Sequence, residues 1–226
     1  MSSGAPAVLL TAFGPFKGRS VNASSIGTTA VAASRLDVRR VVCDVVWGKP
    51  TTTVLPEIGR ERIVLSFGEA TDTFRLELVA RNERGADKKD ETGSTPVDAL
   101  IRPGGPDTLQ PLYNADRVVA ALKSRGFPVE LSQNAGQFLC DEMFYTLLHH
   151  QRFGQTASSL DLVAFIHIPV FKSDTKVFAA NGTDLESVVF DEALATRFVN
   201  AVVDVMLAEH AAMQERLATH KRGHDE

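Results

Sequence analysis

The sequence predicts an α/β domain: a three-layer α/β/α sandwich around a mostly parallel, mixed and twisted sheet. Three observations predict it. Apolar runs of strand length alternate along the chain with stretches of helical spacing. The clearest run, Ala7-Val8-Leu9-Leu10-Thr11-Ala12-Phe13, is continuous, as in a strand covered on both faces. The 226 residues, 44% hydrophobic and 23% charged, suit one two-sided core better than two domains or a disordered chain. Residues 1–226 are therefore read as a single domain, with 1–6 and 219–226 as frayed tails.

The first strand ends at Gly14-Pro15 and is followed by a helix. Asn22, Ser24 and Ser25 are its candidate caps, and Ile26, Ala30, Val31 and Ala33 give it one apolar face. Val38 to Trp47 and Arg62 to Phe67 read as strands, with room for at most a short helix in Gly48 to Arg60. Phe74 to Arg81 alternates strictly and is expected near a sheet edge. From Glu83 to Asn114 the chain turns to Gly, Pro, Asp and Lys, which reads as one flexible excursion. Ala115 to Ser124 is a helix, Val129 to Ser132 a short strand, Cys140 to His150 a helix and Leu160 to Ile168 an apolar strand. A final helix is expected over Leu185 to Leu217.

Charge and cysteine usage exclude several classes. With 24 Lys plus Arg against 28 Asp plus Glu, the net charge of -4 argues against a nucleic-acid partner. Cys43 and Cys140 lie far apart with no CxxC spacing, which argues against a disulfide scaffold or thiolate zinc site and for a reduced, cytoplasmic setting. No metal and no cofactor is expected. No apolar run approaches the roughly 20 residues that cross a bilayer, and Met1 to Pro6 lacks the basic-then-apolar pattern of an export signal. No membrane partner is expected either.

Three side chains have the chemistry of a nucleophile, a base and an orienter. Cys140 directly precedes the helical face Met143, Phe144, Leu147 and Leu148, which places its sulfur at a helix amino terminus, where unpaired N–H groups and the helix dipole favour a thiolate. Asp141 and Glu142 oppose that effect, and the small buried thiol is the ordinary alternative. His167 ends the otherwise apolar Phe165-Ile166-His167-Ile168-Pro169, where an imidazole needs a hydrogen-bond partner. Glu77 lies between Arg75 and Arg81 on one strand face, as a solvated carboxylate or as the group that orients an imidazole. Phe13-Gly14-Pro15-Phe16 puts two rings around a rigid turn at a strand end, either as a hydrophobic plug or as cover for a small flat group. Cys43 sits mid-strand and is assigned no chemistry; His149 and His150, adjacent in a helix, diverge and make poor metal ligands.

These residues fall in blocks that resemble the type I pyroglutamyl peptidases, or pyrrolidone carboxyl peptidases, cytosolic cysteine peptidases. Thr11 to Phe16 with Val21-Asn22-Ala23-Ser24 is similar to that family's amino-terminal block, Ser132 to Asp141 to its nucleophile block, Phe165 to Pro169 to its histidine block and Glu77 to Asn82 to its glutamate block. The resemblance implies Cys140 as nucleophile, His167 as general base and then acid, and Glu77 as orienter. It implies Phe13, Phe16, Phe138, Glu69 and Ala70 as the binding site for an N-terminal pyroglutamyl ring, and a homo-tetramer as the assembly. Departures are Leu78 where the family usually has arginine, the loop Gly68-Glu69-Ala70-Thr71-Asp72, and the segment Gly85 to Asp90. A thiol hydrolase of another N-acyl amide or lactam, and a non-catalytic binding protein keeping the fold, stand as the alternatives.

Overall fold

The computed structural model describes residues 8–70, 73–154, 160–170, 176–181 and 184–222, with backbone only for 70, 176–181, 184–189 and 220–222. In chain order the elements are β1 (Val8–Phe13), α1 (Ala23–Ser34), β2 (Val38–Cys43), β3 (Ile63–Ala70), β4 (Phe74–Glu77), β5 (Ala80–Arg81), β6 (Thr108–Leu109), α2 (Ala115–Ser124), β7 (Val129–Ser132), α3 (Leu139–Phe153), β8 (Leu162–Pro169), β9 (Lys176–Asn181), β10 (Asp184–Val189) and α4 (Glu192–Arg222). Six strands form the main sheet in the order β2-β1-β3-β8-β4-β7. Pairings β1–β2, β1–β3, β3–β8 and β4–β7 are parallel, whereas β4 runs antiparallel to β8. The sheet is thus mixed and mostly parallel, as expected.

Alternation within the strands assigns each face its own core. Val8, Leu10, Ile63, Leu65, Phe67, Leu162, Ala164 and Ile166 pack with α1, α2 and α4, in one cluster with Val31, Val118, Phe198 and Val202. Leu9, Phe13, Val64, Val163 and Phe165 face the other way, against Met143, Phe144, Leu147 and Leu148 of α3. Close approach fixes the first layer: a Cβ on Gly27 of α1 would lie 2.9 Å from both Ala195 O and Val199 Cγ2 of α4. Phe74 anchors the same side, its ring centroid 4.1 Å from that of Phe198.

Four expectations need correction. The alternation from Phe74 to Arg81 does lie near a sheet edge, but it is not one strand: β4 sits next to the edge strand β7, and β5 departs to pair with β6 in a separate two-stranded sheet. Strand β2 stops at Cys43, and Val46 N turns back to Asp44 O. The last helix begins at Glu192 because Asp191 Oδ1 accepts from Leu194 N at 2.7 Å, a capping bond, while the β-branched stretch before it pairs as β10 with β9. It then runs to Arg222, into the expected tail; residues 1–7 and 223–226 lie outside the described set. Residues 83–114 are tied down rather than loose. Asn82 exchanges two bonds with the Arg102 backbone, at 2.8 and 2.7 Å, Arg84 Nη1 donates to Leu100 O at 2.6 Å, and Tyr145 Oη donates to Pro106 O at 2.8 Å. Outside the short β5–β6 pairing, backbone polar groups of this segment found side-chain partners.

Candidate active site

Antiparallel pairing of β4 with β8 sets Arg75 opposite His167, so Glu77, two residues along, is a diagonal neighbour of the imidazole on the same face. The Glu77 side chain is completely buried and its Oε1 lies 2.7 Å from His167 Nδ1. The carboxylate is therefore not a solvated group balanced by Arg75 and Arg81. It is the last residue of β4, a strand that runs parallel to β7 but antiparallel to the β8 that carries His167.

On the other side of β8, Gly68 of β3 is the register partner of His167. A Cβ at Gly68 would stand 3.0 Å from Cys140 Sγ and 3.0 Å from Phe165 Cζ, so the missing side chain is the space the sulfur occupies. Cys140 is the second residue of α3, where backbone N–H groups have no intrahelical partner. Because Gly68 is the register partner of His167, the sulfur beside it lies next to the imidazole. Burial works against a charged imidazole here, but the Cys140 charge and hydrogen bond, with those of Glu77, overcome it and raise His167 from 6.5 to about 9. The sulfur borders β8 from the β3 side and the carboxylate holds the imidazole from the β4 side.

The carboxylates next to the sulfur are each tied elsewhere. Asp141 accepts from Gln137 N at 2.7 Å and Arg81 N at 3.1 Å, and burial raises its pKa, which moves it toward the neutral form. Glu142 accepts from Arg84 Nη2 at 2.5 Å and from Gly48 N at 3.2 Å. Arg84 offsets the Glu142 charge, and burial works against a charged Asp141, so both oppose a thiolate less.

Beside Cys140 is a cavity of about 210 Å³ lined by Phe13, Phe16, Phe138 and Glu69, all expected from sequence, and by Lys17, Arg19, Asn22, Val45, Leu139 and Val170. The VNAS block explains the aromatic turn: Asn22 caps α1 through Ser24 N and donates to Gly14 O at 3.0 Å, while Ser24 Oγ accepts from Phe13 N at 3.1 Å. Ala70 ends β3 opposite Pro169, and its side chain is outside the described set. A larger groove, about 300 Å³ between Thr51, Ile101, Tyr145 and Phe153, holds none of these groups. No cluster of metal-binding side chains is present among the described residues, and no helix among them is long and apolar enough to cross a membrane.

Against this geometry, a sequence profile of the pyroglutamyl peptidases matches residues 6–207. The chain belongs to the pyroglutamyl peptidase family. It is 34% identical over 173 residues to the pyrrolidone-carboxylate peptidase of Klebsiella pneumoniae, covering 72% of this chain and 77% of that one. To the enzyme of the same name from Clavibacter michiganensis it is 32% identical over 211 residues, 90% and 93% of the two chains. The crystal structure of pyroglutamyl peptidase I from Bacillus amyloliquefaciens superposes with a TM-score of 0.74 at 26% identity, covering 91% of this chain and 98% of that one. Pyrrolidone carboxyl peptidase from Fervidobacterium islandicum gives 0.72 at 26% identity, with 89% and 98% covered.

Relative to this pyroglutamyl peptidase fold, sequence reasoning missed three contributors. Trp47 packs edge-on to Phe138, centroids 5.1 Å apart, and Phe138 meets Phe16 at 5.3 Å, so Trp47 backs one wall of the cavity. Gly68 carried a readable signal, a glycine near the end of an apolar strand marking close approach. Arg19 carried none, since nothing local distinguishes a loop arginine that lines a cavity from one in solvent.

Proposed function

We propose that the chain is a cysteine omega-peptidase that hydrolyses the amide bond after an N-terminal pyroglutamyl residue through a thioester. The observation that carries the reading is Cys140 set against Gly68, whose register partner is a His167 held by Glu77, beside a cavity walled by three phenylalanines. Phe13, Phe16 and Phe138 cover the apolar faces of a flat, uncharged ring, and Glu69 lies at its edge, with Ala70 next to it at the end of β3.

In the reaction, the Cys140 thiolate attacks the pyroglutamyl carbonyl carbon. A C–S bond forms and the carbonyl pair moves to oxygen, where N–H groups of the first turn of α3 stabilise it. Collapse breaks the C–N bond, and imidazolium gives its proton to the departing amine. Neutral His167 then takes a proton from water, whose oxygen attacks the thioester and releases 5-oxoproline and the thiol. Glu77 fixes the imidazole's orientation and stabilises its charged form. An ordinary N-terminal ammonium facing the three rings loses hydration, which favours the lactam.

A homo-tetramer in the cytoplasm completes the proposal, supported by the family resemblance and by two free thiols. The test is release of aminocoumarin from its pyroglutamyl amide: wild type turns it over and Cys140→Ala does not. A folded wild-type protein inert toward this amide refutes the reading.

A further inference from the structure

The three phenylalanines of the cavity offer faces but no hydrogen bonds. A pyroglutamyl ring has a polar edge, its cis-amide N–H and C=O side by side, and burying that edge unpaired is costly. What the cavity wall supplies there is an ion pair: Arg19 Nη2 is bonded to Glu69 Oε2.

Glu69 is set by the fold. It is the next-to-last residue of β3, its side chain is only 6% exposed, and its Oε1 accepts from Ala23 N, the first residue of α1, at 2.5 Å. A carboxylate oxygen accepts two bonds, so each oxygen keeps room for another donor. Arg19 is 29% exposed, and its Nη1 is buried with no hydrogen-bond partner. A buried orphan donor in a cavity wall needs a partner from somewhere.

We infer that Arg19 and Glu69 form a neutral recognition pair for the lactam edge, Arg19 donating to the ring carbonyl and Glu69 accepting from the ring N–H. The inference rests on the peptidase reading and deepens it, because it makes specificity depend on pairing rather than on apolarity alone. Paired, the two charges cancel and a ring carrying an ammonium finds no net anion. Without Arg19, the same slot holds a buried carboxylate that attracts a cationic ring. N-terminal proline is the discriminating probe, since it has the same five-membered ring, lacks the carbonyl and carries the charge.

The experiment compares wild type, Arg19→Met and the double variant Arg19→Met/Glu69→Gln on pyroglutamyl and prolyl aminocoumarin amides, with circular dichroism reporting folding. Arg19→Met is expected to raise KM for the pyroglutamyl amide about 10- to 100-fold with a much smaller change in kcat, as for loss of one charged hydrogen bond. Its preference for pyroglutamyl over prolyl falls by at least as much. The double variant, without a stranded charge, rejects the prolyl amide again but keeps the raised KM. Should Arg19→Met fail to fold, the double variant decides: a wild-type KM there overturns the pair. A folded Arg19→Met with unchanged KM and preference overturns it too, with the peptidase reading left standing. Wild type that cleaves no pyroglutamyl amide removes the reading and the pair together.

Discussion

Cys43 and Cys140 belong to the same apolar cluster on the α3 side of the sheet, yet their surroundings give them opposite chemistry. Cys43, fully buried at the end of β2, donates to Asp44 O at 3.4 Å. Burial, then the charges of Asp44 and Glu142, push its thiol up to about 12, so it is no nucleophile at neutral pH. Cys140 sits in the first turn of α3, against Gly68 and beside an imidazole that a buried carboxylate holds. Reactivity in this fold is a property of the partner set, not of the residue type.

The sharpest way to break that contrast is to delete each thiol. Cys140→Ala is expected to lower kcat on the pyroglutamyl amide by at least about 10³-fold, whereas Cys43→Ala leaves kcat/KM within about threefold. Comparable losses from both would mean the contrast is wrong. Next in size is the orienter: Glu77→Gln keeps the shape but not the charge beside His167, and kcat should fall about 100-fold with KM little changed. Gly68→Ala probes the space for the sulfur. Its Cβ would stand 3.0 Å from both Sγ and the Phe165 ring, so the sulfur must shift, and about a 10-fold loss of kcat with a melting-point drop equivalent to about 1–3 kcal/mol is expected. A fully active Gly68→Ala would show that the sulfur does not depend on that gap.

The smallest effect is in pH dependence. His167 is raised from 6.5 to about 9, and its protonated form both holds the thiolate and donates to the leaving amine, so kcat/KM should decline on an alkaline limb centred near pH 9. The sign for stability is the same. The contribution of the extra proton is whole below pH 6.5 and is lost as pH rises through about 9. In Cys140→Ala the main group raising the imidazole is gone, and an NMR titration should place His167 lower than in wild type. An unchanged midpoint would remove Cys140 as the cause.

Much of this was legible in one dimension because it is local. The continuous apolar run of β1, the Asn22 cap of α1 and the amino-terminal position of Cys140 in α3 each depend on neighbours within a few residues, and all three stand in the structure. The aromatic turn was legible for the same reason. Where local patterns misled, a competing partner lay far along the chain. Phe74 to Arg81 alternates as one strand, but Ala80 and Arg81 pair with Thr108 and Leu109 instead of continuing in the main sheet. Residues 83–114 have the composition of a free loop, but Arg84 reaches Glu142 and Asn82 reaches Arg102.

The sequence by itself determined the secondary-structure periods and the class of the sheet, and it named the candidate nucleophile, base and orienter, since side-chain spacing and helix-end chemistry are written in adjacent residues. Only the tertiary structure decided that β4 runs against β8, which sets the Glu77 carboxylate on the imidazole, that Gly68 leaves the gap for a sulfur 72 positions later (140 − 68), and that Arg19 closes on Glu69. Those are strand-direction and register facts. Nothing within a short window fixes them, because the free energy that selects one pairing is spread over both faces of the whole sheet.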